Sequence, residues 1–351
     1  MKKLVLIYLL ASLLPVFGQK NTHRVIVIMT DGLRWQEVFK GMDSVIANKK
    51  IFHHGDSANI FKKYWATTAE ARREKLMPFF WGTIQQKGQI HGNRDKGSLM
   101  NVANPYWFSY PGYSELTTGQ VDTAVNSNDY KPNPNTNFFE YLNGLPDYKG
   151  KVAAFGAWDA FDRILNEKRA GFPVINAFDE YVKLGKDAEA ALLTNMIKDT
   201  HRAFGNSEVL DVFMHYQIMH YLKKEKPKAV FLSYGDTDEF AHDGNYSHYL
   251  DGAHAFDKYL KDIWHFVETT PEYKGNTTIL ITTDHGRGDE NKYQWTSHGQ
   301  KVKDSHQTWY AMLGKGVPSM GEVTKPEQTY TRELIHKISK LLNVSFQSIK
   351  K

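Results

Sequence analysis

The chain has 351 residues, 41% of them hydrophobic and 13% aromatic, which is enough to bury a large core in one big domain or in one domain with insertions. Its formal charge of +5 comes from 44 basic and 39 acidic residues scattered along the sequence, and loss of Lys2 and Lys3 with a leader would leave +3. This mild excess argues against a nucleic-acid polymer as the partner. Because the sequence contains no cysteine, disulfides, thiolate metal ligands and a cysteine nucleophile are excluded.

The N-terminal segment has the pattern of a secretory signal. A basic start, MKK, precedes an apolar stretch that ends at the small residue Gly18. This stretch is shorter than the ~20 residues that a membrane span needs, and it contains Pro15. We therefore expect residues 1–18 to be removed and residues 19–351 to form the mature domain. The mature protein is expected to be periplasmic or secreted, without a stable membrane span.

Beyond the leader, short apolar runs alternate with helical patterns. In chain order, the runs predicted as strands are 24–29, 151–155, 229–234, 277–282 and 308–313. The predicted helices are about 76–87, 186–223, 248–268 and 331–343, and the stretches 44–75 and 120–137 are predicted as loops or insertions. This alternation predicts an α/β fold with a doubly wound, mostly parallel sheet flanked by helices, in one large domain with loop insertions.

The first predicted strand runs into Asp31 and Gly32. An Asp-Gly pair after a strand is most often only a turn, since glycine lets the backbone reverse there. However, open α/β sheets bind ligands outside the carboxyl ends of their strands. Asp31 is therefore a candidate ligand if other strand ends carry similar side chains.

The segment 107–119 places several hydroxyl groups around a Pro-Gly turn, ahead of a predicted short helix. A serine at a helix N-terminus is most often a cap. Free backbone N–H groups at such a position also bind anions, which favours a nucleophile there. Ser109 and Ser114 are both candidates, and residues 112–116 lack the final glycine of a nucleophile elbow. No phosphate-binding glycine loop or dinucleotide fingerprint occurs in the sequence.

The strand predicted at 229–234 is followed by Asp238 and His242. Their i, i+4 spacing puts both side chains on one face of a helix that starts there. A carboxylate and an imidazole at this spacing are typical of a divalent-metal site. The alternative is that Asp236 or Asp238 caps the helix and that the histidine is incidental.

The strand predicted at 277–282 ends in Asp284 and His285. Two ionisable side chains buried at a strand end are costly unless they are paired or bound to a metal. His298 follows in a polar loop, and His306 competes with it for the same role. Three strand ends that carry acids and imidazoles to one edge of a sheet predict a metal site.

In this order, the segments resemble the alkaline phosphatase superfamily, and within it most closely the type I phosphodiesterase/nucleotide pyrophosphatase branch. The motifs that carry the resemblance are Asp31-Gly-Leu-Arg-Trp35, Met77-Pro-Phe-Phe-Trp81, Ser109-Tyr-Pro-Gly with Thr118-Gly119, Asp238 with His242, Asp284-His285-Gly286, and His298-Gly299. They extend over most of the mature chain. The resemblance selects Ser109 over Ser114.

The resemblance implies a metal-dependent phosphoric ester hydrolase with two divalent ions, usually zinc, with manganese also compatible with mixed Asp and His ligands. It implies that Ser109 attacks a small phosphate ester and forms a phosphoseryl intermediate. The implied ligands of one ion are Asp238, His242 and His298. The implied ligands of the other are Asp31, Asp284, His285 and the Ser109 oxygen.

Three further positions are candidates for contacts to substrate. The family often uses an asparagine as a transition-state donor, and Asn128 is the candidate here, although its loop departs from the family pattern. Lys168 and Arg169 are candidates for binding the extra charged oxygen of a monoester, with an exposed basic pair as the alternative. The choice between monoester and diester stays open.

Two other functions compete with a phosphoric ester hydrolase. A sulfatase signature has Cys or Ser followed by x-Pro-x-Arg, whereas the sequence from Ser109 has Tyr113 at the arginine position. A non-catalytic, exported metal-binding protein would be expected to lack a ligand position, but every position is filled. Both alternatives therefore rank below the hydrolase.

Overall fold

The computed structural model describes residues 23–351, so the predicted leader lies outside the described residues. The strands are β1 (Arg24–Thr30), β2 (Gly88–His91), β3 (Ser98–Asn101), β4 (Val152–Gly156), β5 (Val174–Asn176), β6 (Ala229–Tyr234), β7 (Thr277–Thr283), β8 (Tyr310–Gly314), β9 (Gly321–Glu322) and β10 (Glu327–Tyr330). The first eight helices are α1 (Trp35–Lys40), α2 (Ser44–Ala47), α3 (Lys50–His53), α4 (Ser57–Tyr64), α5 (Ala69–Leu76), α6 (Gln85–Lys87), α7 (Ser109–Thr118) and α8 (Phe138–Gly144). The others are α9 (Phe161–Ile164), α10 (Glu167–Ala170), α11 (Ala188–Asp199), α12 (Asp211–Glu225), α13 (Asp236–His242), α14 (Tyr246–Thr269) and α15 (Thr331–Leu341).

Within the described residues, the main sheet has the strand order β5-β4-β6-β1-β7-β8-β2-β9. The strands from β5 to β7 are parallel to one another. β8 pairs antiparallel with β7, β2 pairs antiparallel with β8, and β3 forms a separate parallel pair with β10. The predicted mostly parallel α/β sheet is therefore confirmed.

The sheet is covered on both faces, as a doubly wound fold requires. Ile26 and Ile28 of β1 belong to one core, which also contains the buried side chains of α14. Val25 and Val27 point into a second core, which contains buried side chains of α7, α8 and α15. Burial on both faces explains why β1 is an unbroken apolar run rather than an alternating one.

The predicted strands at 24–29, 151–155, 229–234, 277–282 and 308–313 are confirmed as β1, β4, β6, β7 and β8. The helix predicted over 186–223 is wrong as a single element. It is two helices, α11 and α12, and the chain leaves the helical conformation at Thr200, whose ψ is 151°. Polar residues and Gly205, which has a φ of +73°, fill the connection.

The stretch 44–75, predicted as a loop or an insertion, is not a loop, because it contains α2, α3, α4 and α5. Asp43 caps α2 by accepting the N–H of Val45 at 2.8 Å, and Thr68 caps α5. Such short helices have little stability of their own and depend on packing. Ile46 and Ile60 supply that packing, since both are completely buried in the core.

None of the helices between residues 23 and 351 combines the length and apolar character needed to cross a bilayer.

His91 in β2 is buried, and its ring stacks on that of Tyr310 with 4.3 Å between the centroids. Burial, reinforced by Lys337, lowers the pKa of His91 from 6.5 to about 4. The unfolded chain therefore takes up a proton that the folded protein rejects. The free energy of unfolding is therefore unaffected by His91 above pH 6.5 and falls as the pH drops towards 4. At pH 5 the loss is about 2 kcal/mol.

We expect His91→Phe, which keeps a ring against Tyr310, to flatten this pH dependence. The measurement is the free energy of unfolding in urea at pH 7 and pH 5. The fall between the two should be smaller in the variant by about 2 kcal/mol. Equal falls in the variant and the wild type would show that His91 does not contribute to acid sensitivity.

Candidate metal centre

The three strand ends predicted to carry ligands lie side by side. Thr30, the last residue of β1, is in register with Tyr234 of β6 on one side and with Thr283 of β7 on the other. The backbone N–H of Asp31 donates to the carbonyl of Tyr234 at 2.8 Å. The side chains that follow β1, β6 and β7 therefore meet at one edge of the sheet.

Asp31, Asp284 and His285 form the deepest part of the site. Nε2 of His285 lies 3.3 Å from Oδ1 of Asp31 and 3.3 Å from Oδ2 of Asp284. Asp284 and His285 are completely buried, and the ligand atoms of all three residues lie within 4.8 Å of one another. The chain turns after Asp284 so that two consecutive side chains reach the same point.

Asp238, His242 and His298 lie beside this group. His242 Nε2 is 3.0 Å from Oδ2 of Asp238 and 3.1 Å from Nε2 of His298. Asp238 and His242 project from one face of α13, which confirms the i, i+4 prediction. The ring of His298 stacks on that of His285 with 3.9 Å between centroids. We call the full set the Asp/His cluster: Asp31, Asp238, His242, Asp284, His285 and His298.

The electrostatics of the Asp/His cluster fit a bound cation. Burial and the Asp238 carboxylate raise the pKa of Asp31 well above its usual range, and burial and Asp31 do the same for Asp284. Oδ1 of Asp31 and Oδ2 of Asp284 have no hydrogen-bond partner among the described residues. Buried carboxylates in this state are costly unless a positive ion compensates them. Nitrogen and oxygen donors without thiolate are compatible with zinc or manganese.

Helix α13 is not capped by its own acids, which was the alternative interpretation. Asp211 accepts the backbone N–H groups of Gly235 at 2.6 Å and of Asp236 at 3.1 Å. Asp236 in turn accepts the N–H of Asp211 at 3.1 Å. Asp238 is therefore free of a capping role and faces the cluster.

Ser109 is the first residue of α7 and lies against the cluster. Its Oγ is 3.4 Å from Nε2 of His285, and the residue is 6% exposed. Gly112, one turn later, packs directly on the end of β7: a Cβ there would lie 2.5 Å from the carbonyl oxygen of Asp284. The glycine thus allows α7 to approach closely enough to present Ser109.

Ser114 has a different environment. Its hydroxyl accepts a hydrogen bond from Nδ2 of Asn133 at 2.8 Å, and its carbonyl accepts one from the Thr118 hydroxyl at 2.6 Å. None of these partners belongs to the Asp/His cluster. Of the two serines, Ser109 is therefore the one whose hydroxyl lies against the Asp/His cluster.

The other substrate-contact candidates lie in two places. Asn128 is at the N-terminus of α7, where its Oδ1 accepts the backbone N–H of Tyr110 at 3.0 Å. Arg169, in α10, forms an ion pair with Glu140 at 2.8 Å and donates to backbone carbonyls of the 120–137 loop. Lys168 is exposed. The contacts of Arg169 are with residues outside the Asp/His cluster, and substrate binding by Lys168 and Arg169 stays a prediction.

Arg287 is an important residue that the sequence interpretation passed over as part of a loop. It is almost completely buried, and its Nη1 contacts Oδ1 of Asp238. Its other nitrogens donate to the carbonyls of Trp295 at 2.8 Å and Thr296 at 2.9 Å. Burial alone would raise the pKa of Asp238, but Arg287 and His242 hold it well below its usual range. In the sequence, Arg287 lies between two glycines, and this pattern does not indicate a contact with Asp238.

Two smaller features were also visible only in the structure. The Tyr113 hydroxyl donates to Oδ2 of Asp31 at 3.1 Å and lies 2.7 Å from the Ser233 hydroxyl. Gly32 has a φ of +60°, and a Cβ there would lie 2.4 Å from Oδ1 of Asp238. The Asp-Gly pair is therefore more than a turn, because glycine is needed for the close approach of Asp238.

We expect His298→Ala to lose one equivalent of bound metal, whereas His306→Ala retains the wild-type amount. His298 lies between His242 and His285, while the ring of His306 packs against Trp107 at 5.0 Å. The measurement is metal content after equilibrium dialysis at a zinc concentration that saturates the wild type. Loss of metal in His306→Ala alone would contradict the assignment.

Comparisons with known proteins agree with this arrangement. Residues 207–302 match the family model of the Metalloenzyme superfamily, and this segment contains five members of the Asp/His cluster, all except Asp31. No match to the chain occurs among curated protein sequences.

Several solved structures have a similar fold. The chain is similar to the lipoteichoic acid synthase LtaP from Listeria monocytogenes, with a TM-score of 0.58 and 11% identity over 93% of this chain and 73% of that one. It is equally similar to a putative sulfatase from Bacteroides thetaiotaomicron, with a TM-score of 0.58 and 14% identity over 93% and 72% of the two chains. A third similar structure is Ps i-CgsB, solved with a neocarrahexaose. Its TM-score is 0.55, and its sequence is 15% identical over 94% of this chain and 73% of that one.

At these identities the likeness shows the fold. This fold, and the match of residues 207–302 to the Metalloenzyme superfamily, agree with the resemblance stated from the sequence and with the expected metal site. The narrower resemblance to the type I phosphodiesterase branch stays a prediction.

Proposed function

We propose that this protein is an exported phosphoric ester hydrolase that uses Ser109 as its nucleophile and two divalent ions, with zinc as the first candidate. The observation that carries the proposal is the position of the Ser109 hydroxyl, 3.4 Å from Nε2 of His285. A hydroxyl at a helix N-terminus, held against a buried group of acids and imidazoles, is suited to attack on an anionic ester.

The residues present fit two ions. Asp31, Asp284, His285 and the Ser109 oxygen would hold one, and Asp238, His242 and His298 would hold the other. When bound, divalent ions supply positive charge that favours the deprotonated serine hydroxyl and neutralises the oxygens of a phosphate ester.

The surrounding side chains orient this site. His285 donates from Nδ1 to the carbonyl of Gly286 at 3.0 Å, which leaves the lone pair of Nε2 directed at the cluster. Burial and the Asp31 carboxylate raise the pKa of Tyr113 well above its usual range, so its hydroxyl keeps its proton and its hydrogen bond to Asp31. Both contacts hold a ligand in place before substrate binds.

The reaction would proceed in two displacements. The Ser109 oxygen forms a bond to phosphorus while the bond from phosphorus to the leaving alcohol breaks, and the alcohol takes the electron pair and a proton. Water then forms a bond to phosphorus while the bond to Ser109 breaks, and a proton from the water restores the serine hydroxyl. The product is phosphate from a monoester, or a phosphate monoester from a diester. We include Asn128 as a candidate donor to a phosphate oxygen, since it accepts the backbone N–H of Tyr110, the residue after Ser109.

A phosphate ester is favoured over a sulfate ester by one contact. Tyr113 occupies the position of the arginine in a sulfatase signature, and its hydroxyl is bonded to Asp31 and Ser233. The chain therefore has a structural hydroxyl where that signature has a cation. Monoesters and diesters are both candidate substrates.

The proposal is tested with metal-stripped protein reloaded with zinc or manganese and assayed on p-nitrophenyl phosphate, bis-p-nitrophenyl phosphate and p-nitrophenyl sulfate. We expect metal-dependent cleavage of at least one phosphate ester. Cleavage of the sulfate alone would identify a sulfatase. Protein that binds metal without cleaving any of the three would favour a non-catalytic binding protein.

A further inference from the structure

The two halves of the Asp/His cluster carry different charge. One half has two carboxylates, Asp31 and Asp284, and each has an oxygen without a hydrogen-bond partner among the described residues. The other half has one carboxylate, Asp238, and this carboxylate is already in contact with the Arg287 guanidinium. A divalent ion would therefore be compensated in the first half, whereas in the second it would join an ion pair that is already neutral.

Arg287 cannot easily move away from Asp238. The side chain is completely buried, and two of its donors are bonded to the carbonyls of Trp295 and Thr296. Rotation of the guanidinium would leave these carbonyls without that donor, which is unfavourable in a buried site. The positive charge is thus a fixed part of the second half.

The histidines of the second half are also held less firmly than His285 in the first half. Nδ1 of His285 is bonded to the Gly286 carbonyl, which orients Nε2 as a ligand. Nδ1 of His298 is buried and has no partner among the described residues, and the His242 side chain is 43% exposed. The second half is therefore less firmly organised around an ion.

We propose that Arg287 makes the two ion sites unequal. The protein binds its first ion at Asp31, Asp284 and His285, and it binds its second ion at Asp238, His242 and His298 at least about tenfold more weakly. This inference rests on the two-ion centre of the proposed function. Its consequence is that the free metal concentration sets the occupancy of the second site, and with it the activity.

The test is a zinc titration of metal-free protein at constant pH, by calorimetry and by competition with a chromophoric chelator. The wild type should show two binding steps separated by at least about tenfold. Arg287→Met removes the charge and keeps most of the side-chain volume, so it should tighten the second step at least about tenfold and the first step much less, because Arg287 contacts Asp238 and acts on Asp31 only from a distance. Arg287→Lys keeps a positive charge and should leave the second step weak.

Two equal steps in the wild type would overturn the inference without any variant. A second step that is unchanged or weaker in Arg287→Met, with the first step and the near-UV circular dichroism preserved, would also overturn it and identify Arg287 as only a support for Asp238. One detectable ion in the wild type and two in Arg287→Met would support it.

The proposed function can fail separately. Unequal binding of two ions by a protein that cleaves no ester would support the role of Arg287 and contradict the hydrolase. Ester cleavage by a protein with two equal sites would support the hydrolase and contradict the role of Arg287. Protein that binds neither zinc nor manganese would contradict both.

Discussion

Replacing Ser109 with alanine is expected to lower kcat for the preferred phosphate ester at least about a thousandfold, because the proposed reaction then has no protein nucleophile. Ser109 is the hydroxyl that contacts His285 directly, at 3.4 Å. The substitution removes one oxygen from the first residue of α7 and leaves the carboxylates and imidazoles of the cluster unchanged. The measurement is steady-state hydrolysis, together with circular dichroism and metal content.

Ser114→Ala is the matched control. Ser114 lies on the same helix and is also buried, but its hydroxyl is bonded to Asn133 rather than directed at the cluster. We expect this variant to keep most of the activity. If loss of the bond to Asn133 has an effect, it should be a lower free energy of unfolding. Full activity in Ser109→Ala, combined with loss in Ser114→Ala, would reverse the assignment of the nucleophile.

Gly112→Ala is expected to reduce kcat about a hundredfold through geometry alone. The added Cβ would lie 2.5 Å from the carbonyl oxygen of Asp284 and 3.2 Å from its Cβ. Since the first of these is a backbone atom of the residue that directly follows β7, α7 would have to move, and a displacement of ~1 Å at a nucleophile costs on the order of a hundredfold. Overpacking of this kind also destabilises a protein by about 1–3 kcal/mol.

Gly144→Ala provides the control for this variant. Gly144 ends α8, and a Cβ there meets no atom within 4 Å. Activity and unfolding in urea should both stay close to the wild type. If Gly112→Ala behaved like Gly144→Ala in both measurements, the close contact between α7 and β7 would not position the nucleophile.

The strand ends could be predicted from the sequence because each candidate ligand follows a local pattern. Asp31 and Asp284 come after runs of apolar residues that are long enough for a buried strand. Parallel strands in register bring such positions to one edge without further information. The i, i+4 spacing of Asp238 and His242 needed only a helix after β6.

Arg287 could not be predicted in the same way. Its partner Asp238 is 49 residues away, and the contact depends on the path of a loop that no periodicity describes. The helices of the 44–75 stretch were missed for a related reason, because each is short and depends on burial of residues such as Ile46 and Ile60. Contacts between distant segments determine both features.

The choice between monoester and diester substrates is tested through Lys168 and Arg169. Lys168 and Arg169 were chosen for their charge, yet Arg169 already pairs with Glu140 at 2.8 Å. Binding of a monoester's extra charge by this pair is therefore a prediction, and the alternative for Arg169 is a structural role in its ion pair with Glu140. Comparison of p-nitrophenyl phosphate with its diester in Lys168→Met and Arg169→Met separates the two roles, since loss of substrate binding would raise KM for the monoester alone.

The most direct test of the account is to trap the covalent intermediate. Metal-loaded protein would be mixed with its preferred phosphate ester, quenched in acid during turnover, digested and analysed by mass spectrometry. We expect one phosphoryl group on the peptide that contains Ser109, located at Ser109 by fragmentation, and none in Ser109→Ala. Phosphate found on Ser114 instead, or persistent ester cleavage by Ser109→Ala without any phosphoserine, would contradict the central claim that Ser109 is the nucleophile.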